Sequence, residues 1–129
     1  MKNEFTLETL NVYKLACELS VLAWDIYKDL DLDQKIILGQ QFVKSVDSIG
    51  ANIAEGYGRY HYLDKVRFYY NARASLFEVI HWLNLLVQRE LISQDTYNHL
   101  LDKIKDLRIK LNGWIKFNLD KKKSEQNNQ

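Results

Sequence analysis

Ser48-Ile49-Gly50-Ala51-Asn52-Ile53-Ala54-Glu55-Gly56-Tyr57-Gly58-Arg59 is the stretch on which the fold turns. Read backwards from Ile53 and Ile49, apolar residues recur at Val46, Phe42, Leu38 and Ile37, the spacing of one helical face. A second line of small or slim residues, Gly39, Val43, Val46, Gly50 and Ala54, lets another backbone approach. Each interior glycine costs about 1 kcal/mol relative to alanine, so close packing is expected to compensate. Gly56 and Gly58 are expected to stop this helix, and Tyr57 to Tyr62 to turn the chain.

Helical stripes continue on both sides of this core helix. Upstream, Thr6 is expected to cap a helix carrying Val12, Leu15, Leu19, Leu22, Ile26 and Leu30, with Ala16 and Ala23 beside them. Asp31 or Asp33 then caps the second helix. Downstream, a third helix from about Leu63 to Glu90 carries Val66, Tyr69, Tyr70, Ala74, Phe77, Ile80, Leu83, Asn84 and Val87. Ser93, with Asp95 in the first turn, opens a fourth through Tyr97, Leu100, Leu101, Ile104, Leu107, Leu111, Trp114 and Ile115. Four such helices joined by short loops bury one another's apolar faces most simply as an all-α, antiparallel up-down-up-down four-helix bundle over residues 1–118. The polar residues 119–129 offer nothing to bury and are expected to form a disordered tail. Phe68, Tyr69, Tyr70 and Trp82 are too many large rings for one narrow core, which points to self-association through helices two and three.

Composition agrees with this frame. The 129 residues contain no proline and five glycines, with 47% hydrophobic and 27% charged residues, as expected of one helical globular domain. The single Cys17 has no partner in the chain and is expected to be a small buried residue, in keeping with a reducing, cytoplasmic setting. No signal peptide or membrane span is expected. The formal net charge is +1, and a near-neutral body argues against strong non-specific binding to nucleic acid unless charge is segregated.

No cofactor, metal or small-molecule substrate is expected, and no catalytic residue is assigned. Glu78-Val79-Ile80-His81 has the Glu-x-x-His spacing of di-metal bundles, but a second copy and two further glutamates are missing. Gly56-x-Gly58 follows a helix rather than a strand and lacks a third glycine, so it is not a phosphate loop. Glu55 is expected to pair with Arg59 or Arg73 and to fix the turn. Asn52 is expected to bond a neighbouring helix or backbone freed at the glycines, with Ser48 and Ser75 in similar roles. An enzyme using Glu55, Glu78 and His81 is the rival reading.

Two basic stretches remain open between solvated surface and nucleic-acid contact. Arg59-Tyr60-His61-Tyr62 with Lys65 and Arg67 alternates cations and rings, the pattern that grips single strands by phosphate contact and stacking. Helix four carries Lys103, Lys105, Arg108, Lys110 and Lys116, extended by Lys121 to Lys123.

The block from Ser48 to Gly56, followed by Gly58-Arg59 and by Ala74-Ser75-Leu76-x-Glu78, resembles the four-helix-bundle family of 23S rRNA intervening-sequence proteins, related to the accessory proteins of diversity-generating retroelements. Leu10-x-Val12-Tyr13-Lys14-x-Ala16, Ile26-Tyr27 and Gln41 extend the resemblance over nearly the whole chain outside the tail. It implies a bacterial, non-catalytic homopentamer, and for the retroelement relatives binding to nucleic acid and a reverse transcriptase. Ser48, Asn52, Glu55, Gly56 and Glu78 match its signature. Gly50 stands where proline is common, and Phe42-Val43-Lys44 replaces a segment that is often arginine-rich, which weakens nucleic-acid contact along helix two. The resulting expectation is an oligomeric scaffold or adaptor associating with RNA or ribonucleoprotein, with Arg59, Lys65, Arg67, Lys103 and Lys110 as phosphate contacts. A protein-binding adaptor without nucleic-acid contact is the alternative.

Overall fold

A computed structural model describes residues 6–127, and within them the chain is helical with no strand. Met1 to Phe5, where a targeting segment would begin, and the last two tail residues lie outside the described residues. Thr6 does not open the first long helix. Leu7–Thr9 form one 3-10 turn, in which the Thr9 hydroxyl bonds back to the Thr6 backbone, and Leu10 is extended. Helix α1 then spans Asn11–Asp29.

Asp31 opens the next helix through a capping box: its carboxylate accepts from the Gln34 N–H at 2.8 Å while the Gln34 side chain accepts from the Asp31 N–H at 3.0 Å. Leu32–Gln34, the π-helical turn Lys35–Gly39 and Gln40–Tyr57 run on as one helix, α2. The wider turn shifts the side-chain register. Ile37, expected in the apolar stripe, is 69% exposed, because it stands about 100° of helix from its neighbour Leu38, which is buried with Phe42.

Helix α3 spans Tyr62–Gln88 and α4 spans Gln94–Asn127. The α3–α4 turn is a Schellman closure: Leu91 N–H bonds Leu86 C=O at 2.9 Å, Glu90 N–H bonds Val87 C=O at 3.1 Å, and Glu90 takes the left-handed position with φ 58°. Ser93 caps α4 by accepting from the Thr96 N–H at 3.1 Å. Helix α4 does not stop at 118 before a disordered tail. Leu119 packs against the core, and Lys, Glu and Gln extend an existing helix without a new nucleation cost.

Each helix meets two others around a single core. Gly39 lies against Tyr27 and Leu30, and Gly50 against Ala16, joining α1 to α2. Gly56 lies against Tyr69 and Lys65, and Ser48 bonds Ser75, joining α2 to α3. Tyr97 donates to Asn84 at 2.8 Å and Arg73 to Asn112 at 3.2 Å between α3 and α4. Lys103 on α4 lies 3.8 Å from Glu18 on α1.

Three expectations change on packing. Gly56 is a buried helical residue rather than a terminator; a Cβ there would stand 2.6 Å from the Tyr69 ring and 2.9 Å from the Lys65 carbonyl oxygen. Helix α3 buries Val66, Tyr69, Ala72, Leu76, Val79, Leu83 and Leu86, leaving Tyr70, Ala74 and Phe77 exposed. Its apolar residues occupy two faces, and periodicity cannot say which one meets the core. Cys17 is exposed, because it sits one residue, about 100° of helix, beyond the fully buried Ala16.

Candidate functional surface along α2 and α3

Ser48, Asn52 and Glu55 follow one another at helical spacing along α2, with Arg59 just past its end, and Ser75, Glu78 and Trp82 do the same along α3. A 2.9 Å bond between the Ser48 and Ser75 hydroxyls ties the rows together. Asn52 Nδ2 donates to the Ser48 carbonyl at 2.8 Å and to its hydroxyl at 3.1 Å, so it serves its own helix and, through Ser48, the neighbouring one. Glu78 accepts from the Trp82 indole N–H at 3.2 Å, and His81 meets that ring edge-on at 4.7 Å. The signature residues thus form a half-exposed polar seam.

Glu55 is exposed and bonded to Arg59 at 3.0 Å, the first of its two expected partners; Arg73 goes to Asn112 instead. That ion pair is too exposed to fix the turn strongly. Lys65 does the fixing. Its ammonium donates to the Tyr57 carbonyl at 2.8 Å and approaches the Gly56 carbonyl at 3.4 Å, satisfying backbone freed at the end of α2. Burial pushes its pKa below the ordinary lysine value.

The turn gathers charge and rings at one end of the molecule. The Arg59 and Arg67 guanidinium carbons lie 4.6 and 5.2 Å from the Phe68 ring centroid. Tyr60 is 89% exposed and meets His61 edge-on at 5.0 Å. Lys122 and Glu125 on α4 border the same hollow, of about 420 Å³, as Tyr60, His61 and Lys65. The sequence pattern found Arg59 and Arg67, but only the fold adds Lys122.

Lys103 and Lys110 lie elsewhere and are engaged, Lys103 opposite Glu18 and Lys110 within 3.3 Å of Asp106. Glu55, Glu78 and His81 do not converge on one reacting centre, the first pairing with Arg59 and the other two meeting Trp82. Among the described residues no three of His, Cys, Asp and Glu come together as a metal-binding group. No helix among them is long and apolar enough to cross a membrane.

Behind the turn, the Tyr69 hydroxyl and the Trp114 indole N–H are both buried, and neither closes a hydrogen bond of good geometry, although the rings are neighbours at 6.0 Å. Burial raises the Tyr69 pKa, opposed by the Trp114 side chain.

Four helices around one core, with a polar seam between the second and third, define the class. The profile of the 23S rRNA-intervening sequence protein family matches residues 8–113, and the chain belongs to that family. It is similar to a crystallised protein of unknown function from the S23 ribosomal protein family of Bacteroides thetaiotaomicron, with 28% identity and a TM-score of 0.76, over 81% of this chain and 95% of that one. Among functionally curated proteins, none matches significantly.

Proposed function

We propose that this protein is a non-catalytic helical scaffold that assembles as a homopentamer and holds RNA or ribonucleoprotein at the α2–α3 turn. The observation carrying the RNA reading is the convergence of Arg59, Arg67, Tyr60, His61 and Lys122 at one end of a nearly neutral chain. Cations there meet phosphate while exposed rings stack on unpaired bases. The name of the family agrees with an RNA setting.

An antiparallel up-down-up-down path is supported by the pairings: Ser48 with Ser75 and Gly56 with Tyr69 run in opposite directions, as do Arg73 with Asn112 and Asn84 with Tyr97. Self-association is supported by the exposed Leu63, Tyr70 and Phe77, seven residues apart along α3. The pentamer and the lack of catalysis follow the family resemblance, and the cytoplasmic setting follows the lone Cys17 and the sequence pattern; the dispersal of Glu55, Glu78 and His81 is consistent with the lack of catalysis. Lys65 leaves the list of phosphate contacts because backbone carbonyls hold its ammonium, and Lys103 and Lys110 leave it because they stand away from the turn. Arg59 and Arg67 stay on it, although Glu55 lies 3.0 Å from the first and Asp64 4.0 Å from the second, and that pairing is what favours the second reading, an adaptor that meets only protein.

Light scattering should give five times the 15.3 kDa of one chain. Binding of single-stranded RNA should fall with rising salt, by about 0.7 log units per decade for each phosphate neutralised. Arg67→Ala with Lys122→Ala should weaken it more than Lys103→Ala with Lys110→Ala. RNA binding that is absent at low salt, or indifferent to Arg67 and Lys122, would overturn the RNA reading in favour of the protein-only adaptor.

A further inference from the structure

The end opposite the α2–α3 turn has a different chemistry. A groove of about 520 Å³ runs between the last turns of α1 and the start of α4. Leu22, Ile26, Leu91 and Ile92 line it with partly exposed apolar surface, and Asp25, Asp29 and Asp95 stand among them with a single imidazole, His99. Asp25 is paired with Lys28 at 3.0 Å. Asp95 occupies the first turn of α4, where an acid is locally favourable. Asp29 has no such reason. It is the last residue of α1, at the negative end of the helix dipole, and makes no ion pair among the described residues.

We propose that this groove docks a lysine- or arginine-bearing segment of a partner protein, with an apolar side chain against Leu22, Ile26, Leu91 and Ile92 and a cation against Asp29 and Asp95. Charge complementarity selects this occupant. Phosphate would be repelled by Asp29 and Asp95, and a purely apolar segment would leave Asp29 beside a low-dielectric surface with only the neighbouring Lys28, already paired with Asp25, to balance it. The chain's own basic run, Lys121 to Lys123, belongs to the other end, where Lys122 borders Tyr60 and His61. The groove does not depend on the RNA reading.

The test uses the full chain and a fluorescein-labelled ten-residue peptide of leucines and lysines, with decalysine and a leucine–serine peptide as controls. The leucine–lysine peptide should bind best, more weakly as salt rises, and should shift the methyl resonances of Leu22, Ile26, Leu91 and Ile92. Asp29→Asn should weaken it about threefold, and Asp29→Asn with Thr96→Lys, which places a cation in the groove, about tenfold. RNA affinity should not change in either variant, and their thermal unfolding is compared with the parent to verify folding. Equal binding of decalysine, unchanged affinity in both variants, or methyl shifts elsewhere would overturn the proposal. So would a smaller assembly mass for the double variant together with peptide competition against self-association, because the groove would then be an interface between copies.

Discussion

Gly56 and Gly113 are the same residue type in helix interiors with opposite surroundings. At Gly56 a Cβ would collide with the Tyr69 ring and with backbone, so Gly56→Ala should lower stability by about 1–3 kcal/mol in urea unfolding. Gly113 has nothing within 4 Å of a built Cβ, and Gly113→Ala should raise stability by about 0.5–1 kcal/mol. Tyr69 offers a second residue-level test. Its buried hydroxyl lacks a well-formed bond, so Tyr69→Phe should stabilise by about 1 kcal/mol; a loss of that size instead would mean the hydroxyl is satisfied. The pH dependence has a definite sign. With its folded pKa raised above 10.0, Tyr69 contributes stability that is present below that pH and lost as the pH rises further, since the unfolded chain releases the phenol proton first. Lys65, with a lowered folded pKa, acts oppositely, adding stability as pH rises through that value towards 10.5. Comparing parent and Tyr69→Phe across this range isolates the tyrosine: the variant should lose less stability above pH 10.

At the scale of elements, helix ends and the polar seam decide the geometry. Glu90 holds the left-handed position that glycine usually takes in a Schellman closure, so Glu90→Gly should stabilise by about 0.5–1 kcal/mol without altering the helices seen by circular dichroism. Within the seam, Asn52→Asp would turn a donor to the Ser48 carbonyl into a negative acceptor facing it, costing about 1–2 kcal/mol. Glu55→Gln removes only an exposed ion pair and should change stability by less than about 0.5 kcal/mol. An effect of Glu55→Gln on assembly or ligand binding, with stability intact, would therefore report on the surface itself. These elements were unevenly legible in the chain. The Asp31 and Ser93 starts follow from short polar side chains beside free N–H groups, whereas the π-helical turn has no local signal, since Gly39 makes its room against Tyr27 and Leu30.

Across the whole molecule, the two ends differ in charge. Near the α2–α3 turn Arg59, Lys65, Arg67 and Lys121 to Lys123 outnumber Glu55, Asp64, Asp120 and Glu125, while around the α1–α2 and α3–α4 connections Asp25, Asp29, Asp31, Asp33, Glu90 and Asp95 outnumber Lys28, Lys35 and Arg89. A net charge of +1 conceals this division. If both proposals hold, phosphate meets one end and a basic protein segment the other. If the exposed stripe of Leu63, Tyr70 and Phe77 is buried between copies, Tyr70→Glu with Phe77→Glu should dissociate the assembly to 15.3 kDa chains that remain helical, read by light scattering and circular dichroism. An unchanged assembly mass would place the subunit contacts on another face.

The sequence by itself determined the four helices, most of their ends and the resemblance to the family, because helical periodicity and capping are local properties of side chains within a few residues of one another. Tertiary structure alone decided which of two apolar faces of α3 lies inside, why Gly56 must lack a side chain, and that Lys65 closes a helix end rather than standing free. Each of those depends on what a distant segment brings within a few ångströms: Tyr69 to Gly56, the Tyr57 carbonyl to Lys65, and Ser75 to Ser48.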